Sequence, residues 1–242
     1  MDDYRAKIYA HYSAHTCISG QTPDKYSFEQ WAAAARWYIR GWLPEDKSVP
    51  ILDLGCGAGY FLWMAQDCGY TNLAGVDLSP EQVALARQAC PKAHIVLGDA
   101  QEVLAQSSRY GLITGFDLIE HLRKDELLSL LELVYQSLRP GGRVIFQTPN
   151  AESPWGMKIR YGDLTHELAV SPKGLQSLLY LIGMTDYEAR ECGPYPHGVV
   201  SFSRYLLWRV LHSSLAFWNL VETGDKGSGV YTRVFIATAQ KH

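Results

Sequence analysis

Ile51-Leu52-Asp53-Leu54-Gly55-Cys56-Gly57-Ala58-Gly59-Tyr60 decides the reading of this chain. Ile51, Leu52 and Leu54 make the short apolar run of a buried parallel strand, and the glycines after it permit positive φ and close backbone approach to a ligand. The pattern points to a nucleotide-like ligand. A dinucleotide fingerprint requires G-x-G-x-x-G, whose third glycine allows tight helix packing with the pyrophosphate on the helix N-terminus. Here the spacing is G-x-G-x-G, and Tyr60 stands where that last glycine would be. Asp53, two residues before Gly55, would repel a pyrophosphate but suits a cationic amine or sulfonium. The loop therefore leans away from a NAD-dependent oxidoreductase, the alternative that shares this fold.

Further strands and helices alternate downstream. Leu73 to Asp77 forms a second apolar stretch, and Asp77 falls roughly 20 residues after the glycine loop, the separation at which one βαβ step sets a carboxylate beside a ribose. Ser79-Pro80-Glu81-Gln82 carries the capping hydroxyl, first-turn proline and Gln of a helix start. His94-Ile95-Val96-Leu97 leads into Gly98-Asp99-Ala100, Leu112 to Asp117 leads into Leu118-Ile119-Glu120-His121, and Val144 to Thr148 follows Arg139-Pro140-Gly141-Gly142. The leucine-rich stretch 124–138 predicts a helix ending before Pro140, Ser171-Pro172 opens another that Gly183 stops, and 186–192 and 230–238 are left for two last strands.

Asp53, Gly55, Gly57 and Gly59 match D-x-G-x-G-x-G, and the chain here resembles the first motif of class I S-adenosylmethionine-dependent methyltransferases. Gly98-Asp99-Ala100 resembles the third motif of that family, and Arg139-Pro140-Gly141-Gly142 a turn typical of it. The likeness is specific over 51–150 and looser to 241. It implies an α/β, Rossmann-like, doubly wound seven-stranded sheet, mostly parallel with an antiparallel edge strand, the last two strands forming the antiparallel edge pair. It also implies one domain with a helical N-terminal cap (1–48), a cofactor-binding core (49–150), and an acceptor loop, insertion helix and final strands (151–242). S-adenosyl-L-methionine is the implied donor and S-adenosyl-L-homocysteine the product. Asp53, the three glycines, Asp77 with Leu78, Asp99, Ala100 and Asp117 are the implied cofactor-binding positions, with Asp77 on the ribose and Asp99 and Ala100 on the adenine.

Composition limits the alternatives. At 242 residues and 47% hydrophobic the chain can bury one full core, and a net charge of -3 provides no bulk field for nucleic acid. The N-terminus Met1-Asp2-Asp3-Tyr4 is acidic and lacks the apolar region of a secretory signal. Five scattered cysteines without C-x-x-C spacing argue against a disulfide framework or zinc site, so a reducing cytoplasm is expected. The stretch 203–221 is rich in Leu, Trp and Phe but interrupted by Arg204, Arg209 and His212, which opposes a bilayer-spanning helix. An amphipathic helix that packs, pairs with a second subunit in a homodimer, covers the acceptor or lies on a membrane surface fits it, with packing or pairing favoured over membrane contact.

Methyl transfer from a sulfonium chiefly needs alignment and exclusion of water, plus a base where the acceptor is a hydroxyl. Histidine suits neutral pH. Of eight histidines, His121, His166, His197 and His212 are the candidates for it. Glu120-His121 follows the fourth strand, where ligands of open α/β sheets collect, and resembles the E-H pair of ubiquinone-type O-methyltransferases and of sugar-modifying enzymes of surface-polysaccharide pathways. His166, in Tyr161-Gly162-Asp163-Leu164-Thr165-His166-Glu167, is the preferred base, with His121 and Glu120 as the other catalytic candidates. Asp117, Glu120 and His121 nearly reproduce an E-x-x-E-H cluster that binds a divalent metal in some of those relatives, but three residues so close in sequence need not converge, and no metal ligands are assigned. Trp155, Tyr161 and Tyr195 offer flat faces to a sugar or aromatic acceptor. The expected acceptor is a hydroxyl of a small molecule or glycan. A small amine, or a cofactor-binding partner subunit without catalysis, are the alternatives. Gln147-Thr148-Pro149-Asn150, in place of N-P-P-Y, disfavours a nucleic-acid base.

Overall fold

Each central strand carries apolar side chains on both faces, so it needs cover on both. In the computed structural model, which describes residues 23–106 and 109–242, β1 (Ile51–Leu54), β2 (Leu73–Asp77), β3 (His94–Leu97), β4 (Tyr110–Phe116), β5 (Leu138–Pro149), β6 (Met184–Glu191) and β7 (Val234–Lys241) form one seven-stranded sheet in the order β3-β2-β1-β4-β5-β7-β6. The strands run parallel except β7, which pairs antiparallel with both β5 and β6. The antiparallel pair thus lies at one edge, with the reversed strand one in from the rim.

Alternate residues face opposite cores. Ile51, Leu112, Ile145 and Ile236 pack with α1 (Lys25–Tyr38), α2 (Tyr60–Asp67) and α3 (Pro80–Ala89), whereas Leu52, Ile113, Phe146 and Phe235 pack with α5 (Lys124–Ser137) and α7 (Pro172–Leu181). Complete burial of each such side chain contributes about 1.5–3 kcal/mol. The helix starts follow their capping chemistry: Ser79 Oγ accepts from Gln82 N at 3.3 Å, Ser171 Oγ from Gly174 N at 3.0 Å, and Asp24 Oδ1 from Ser27 N at 2.8 Å.

Of the N-terminal cap expected over 1–48, residues 1–22 lie outside the described residues. Within them, α1 lays Phe28 4.5 Å from Tyr60 and Trp31 5.2 Å from Phe116, ring centre to ring centre, which sets it against the start of α2 and the end of β4. The expected helical insertion is α8 (Val199–Thr223), between β6 and β7. Two short helices, α4 (Ala100–Ala105) and α6 (Gly156–Arg160), follow β3 and β5. The chain builds outward from β1 to β3, then crosses to β4 on the other side of β1. That reversal opens a crevice at the carboxyl ends of β1 and β4, the place where open α/β sheets bind ligands.

Candidate functional site

The crevice has two sides. On the first, the chain leaves β1 through Gly55, Gly57 and Gly59 at φ 63°, 51° and 90°, a region that side-chain-bearing residues seldom adopt. A Cβ on Gly59 would also lie 3.3 Å from Ala86 of α3, so the loop hugs that helix. Gly57 N donates to Asp77 Oδ2 and Ser79 N to Asp77 Oδ1, both at 2.8 Å. Burial raises the Asp77 carboxyl above its ordinary range, and these N–H groups oppose that rise. Asp99 caps α4, accepting through Oδ1 from Gln101 N at 2.7 Å and Glu102 N at 3.4 Å, with Ala100 half-buried beside it. Leu78 is exposed next to Asp77.

Asp53 points from β1 toward β4, where Thr114 Oγ1 donates to its Oδ1 at 2.7 Å, as expected of the cross-strand pair Asp53 and Thr114. Burial pushes Asp53 up to about 7, with Thr114 opposing and Asp77 adding to the shift. Asp117 follows β4 in a left-handed conformation, φ 52°, and takes Gln147 Nε2 at 3.2 Å on either carboxylate oxygen. Desolvation raises its pKa too. The carboxylates at the ends of neighbouring strands suit ribose hydroxyls and a cationic donor and oppose a pyrophosphate, so this side fits the chemistry expected of it.

The second side is made by side chains. The 3₁₀ turn Ile119–His121 follows Asp117, and Glu120 there is 1% exposed. Thr148 Oγ1 donates to Glu120 Oε2 at 3.0 Å, while Oε1 is buried with no hydrogen-bond partner among the described residues. Desolvation, reinforced by Asp117, holds the Glu120 pKa well above the ordinary range. The segment after β5 folds back over this turn: Glu167 N and Leu168 N donate to the Glu120 carbonyl at 2.8 and 3.0 Å, and the Arg160 guanidinium grips the carbonyls of His166 and Glu167. His166 thereby comes edge-on to His121, ring centres 4.8 Å apart.

Both imidazoles have their tautomers set by their neighbours. His166 Nδ1 lies 3.1 Å from the Ile159 carbonyl, which can only accept, so Nδ1 carries the proton and Nε2 the lone pair of the neutral ring. Thr165 Oγ1 donates to Asp163 Oδ1 at 2.6 Å and has no second proton, so His121 Nδ1 at 2.9 Å must donate to it. Burial, then His166, lowers the His121 pKa to about 4, so that ring is neutral at physiological pH.

The structure joins His121, His166 and Glu120, whose ligating atoms lie within 4.8 Å of one another. Asp117, included in the sequence-based metal trio, turns instead to Gln147, and His166 takes the third place. One carboxylate oxygen without a partner and two imidazoles are a donor set that fits a divalent ion. The other histidine candidates fall elsewhere. His212 Nε2 meets the Gly229 carbonyl at 3.0 Å beneath α8, and His197 stacks on Tyr195 at 4.3 Å. Tyr195 and His197 line a hollow of about 330 Å³ with Tyr38, Cys192 and Arg204. Cys192 Sγ is 3.9 Å from Gln147 Oε1, so this hollow abuts the residue holding Asp117. Trp155 and Tyr161 are exposed, each beside an arginine, Arg233 and Arg160.

Sequence reasoning missed Thr148, Asn150, Arg160 and Thr165. Asn150 is fully buried and donates to the carbonyls of Val230 at 2.8 Å and Thr232 at 3.0 Å, and its Oδ1 accepts from Glu152 N at 2.9 Å. It pins the exit of β5 to the approach to β7. The available signal was Gln147-Thr148-Pro149-Asn150 itself: polar residues ending an apolar central strand at the ligand-binding rim.

A family model described as a methyltransferase domain matches residues 25–185, more than half of the chain. The malonyl-[acyl-carrier protein] O-methyltransferase of Serratia marcescens is 34% identical over 103 residues, 43% of this chain and 39% of that protein. The ubiquinone biosynthesis O-methyltransferase of Cronobacter sakazakii is 27% identical over 130 residues, 51% of each. The chain thus spans about half or less of the length of these curated relatives. Among solved structures, a SAM-dependent methyltransferase from Archaeoglobus fulgidus superposes with a TM-score of 0.65 at 22% identity, covering 90% of this chain and 100% of that one.

Proposed function

Because this chain belongs to the methyltransferase-domain family, that of the class I S-adenosylmethionine-dependent enzymes, we propose that it methylates a hydroxyl of a small-molecule or glycan acceptor, with His166 as base. S-adenosylmethionine, when bound, supplies a methyl group already activated on a cationic sulfur. The chain's own task is then to hold donor and acceptor in line, exclude water and take one proton. Asp77, Asp99 and the glycine loop would bind the nucleoside part, with Asp53 buried behind the loop and Asp117 at the end of β4 beside it. His166 Nε2 would take the acceptor O–H proton, leaving that oxygen to receive the methyl group the bound donor would supply.

The observation that carries this reading is the orientation of His166: the Ile159 carbonyl leaves the lone pair of its neutral ring on Nε2, in a cluster where one ligating atom each of Glu120, His121 and His166 lie within 4.8 Å of one another. Burial, with Asp117 beside it, raises the Glu120 pKa, and its carboxyl lies where it can hydrogen-bond an acceptor hydroxyl. Trp155 and Tyr161 supply faces for a sugar ring. The cysteines among the described residues, Cys56, Cys68, Cys90 and Cys192, are free thiols, which favours a reducing, cytoplasmic setting. A divalent ion held by Glu120, His121 and His166 would act as a Lewis acid on the acceptor oxygen.

The test is transfer of labelled methyl to panels of nucleotide sugars, glycans and small amines, read by mass spectrometry with and without chelator. Label on oxygen, unaffected by chelator, supports His166 as base. Label confined to nitrogen overturns the hydroxyl assignment, and loss of activity with chelator, restored by metal, transfers the role to a bound ion.

A further inference from the structure

α8 is an amphipathic helix turned inside out. At about 100° per residue, its inward side carries Ser201, Trp208, His212 and Asn219. Only Ser201 of the whole helix is buried. Polar anchors hold that side down: Trp208 Nε1 donates to Glu191 Oε2 at 2.9 Å and His212 Nε2 meets the Gly229 carbonyl. The opposite side presents Leu206, Leu207, Val210, Phe217, Trp218 and Val221 to solvent, with Leu207 65%, Phe217 67% and Trp218 69% exposed. Eleven large apolar side chains of this helix are exposed, on the order of 1,000 Å² by the size of such groups. The largest patch on a typical monomer is about 300–600 Å².

We propose that α8 is a docking helix for the surface of an anionic phospholipid bilayer, lying in the plane of the interface. Three observations select this occupant. The exposed apolar arc spans about 180° of the helix over a length of about 37 Å, nearly twice the ~100° stripe that one packed neighbour covers. Arg204 and Arg209 stand at the two borders of that arc, where guanidinium groups meet lipid phosphates, and the sole carboxylate of the helix, Glu222, accepts from Trp218 Nε1 at 2.8 Å. The outward hydroxyls are satisfied internally: Ser203, Ser213 and Ser214 each donate to the carbonyl four residues back, at 2.9–3.1 Å, so immersion strands no polar group. No helix among the described residues is long and apolar enough to cross a membrane, which leaves α8 on the surface.

The test uses the full chain, purified without detergent and sedimented with vesicles of phosphatidylcholine, with or without phosphatidylglycerol. Binding to the anionic vesicles is expected, with tryptophan emission quenched by brominated acyl chains. Arg204→Gln with Arg209→Gln should weaken it about 25-fold, at about fivefold per cation. Leu207→Glu and Phe217→Glu should each abolish it while leaving S-adenosylhomocysteine affinity and the far-ultraviolet dichroism unchanged, both sites being exposed. Protein left in the supernatant with both vesicle types overturns the proposal. So does a dimer, seen by light scattering, that ignores vesicles and that Phe217→Glu splits, since a second copy would then be what covers the helix.

Discussion

The two sides of the crevice are assembled from different materials. Around the glycine loop Asp77 and Asp99 are held by main-chain N–H donors: Gly57 and Ser79 on Asp77, Gln101 and Glu102 on Asp99. Beyond β4 and β5 side chain meets side chain, Thr148 on Glu120 and Thr165 between His121 and Asp163, and one buried oxygen has no donor among the described residues. Main-chain donors are fixed by the turn itself, so the first side is preorganised and sensitive mainly to backbone shape. The second depends on the identity of each residue, and there burial acts in both directions: Glu120 is raised and His121 lowered to about 4.

Substitutions can break this division. The largest effect is expected from His166→Ala, a fall in turnover of about 10²–10⁴-fold, as for loss of a general base, with S-adenosylhomocysteine affinity within about twofold by calorimetry. A comparable loss of affinity would merge the two sides. Asp77→Ala should do the reverse, weakening product binding by about 1–3 kcal/mol while turnover at saturating donor is largely retained. Unchanged binding would remove Asp77 from the cofactor. Gly75→Ala should lower stability by about 1–3 kcal/mol, because the new methyl would lie 2.7 Å from Leu62 Cδ1 and 3.0 Å from Cys56 in a packed core. A neutral result in thermal melts would show that β2 and α2 have room to separate.

Much of the first side was legible because its chemistry is local. The glycine spacing fixes a turn, Ser79-Pro80 and Ser171-Pro172 cap helices, and an acid one βαβ step after the loop lands beside it. The second side depends on contacts over long separations. His121 and His166 were each identifiable, but their pairing depends on Arg160 and the Glu120 carbonyl drawing a loop across 45 positions, which no periodicity encodes. For the same reason the near-match Asp117, Glu120 and His121 drew only on neighbours in sequence and did not include His166. The apolar content of 203–221 was evident as well, but the polar anchors that turn its greasy side outward, Glu191 and the Gly229 carbonyl, lie outside the helix.

A pH effect concerns Asp53, between the two sides. Its folded pKa of about 7 exceeds the unfolded value of about 3.9. Its contribution to stability is fully present below pH 4 and is lost as pH rises through 7, with a slope of at most about 1.4 kcal/mol per pH unit. Denaturant melts of the unliganded protein should lose that slope in Asp53→Asn. The same slope in both proteins would assign it to Asp77 or Glu120.

Asn150 joins parts of the chain eighty residues apart. Its amide spans the carbonyls of Val230 and Thr232, and Glu152 two residues later takes the Ser228 hydroxyl, so the strand exit leading to His166 and the return from α8 are one truss. A load applied to that outer helix is therefore borne at the root of the loop that carries the base.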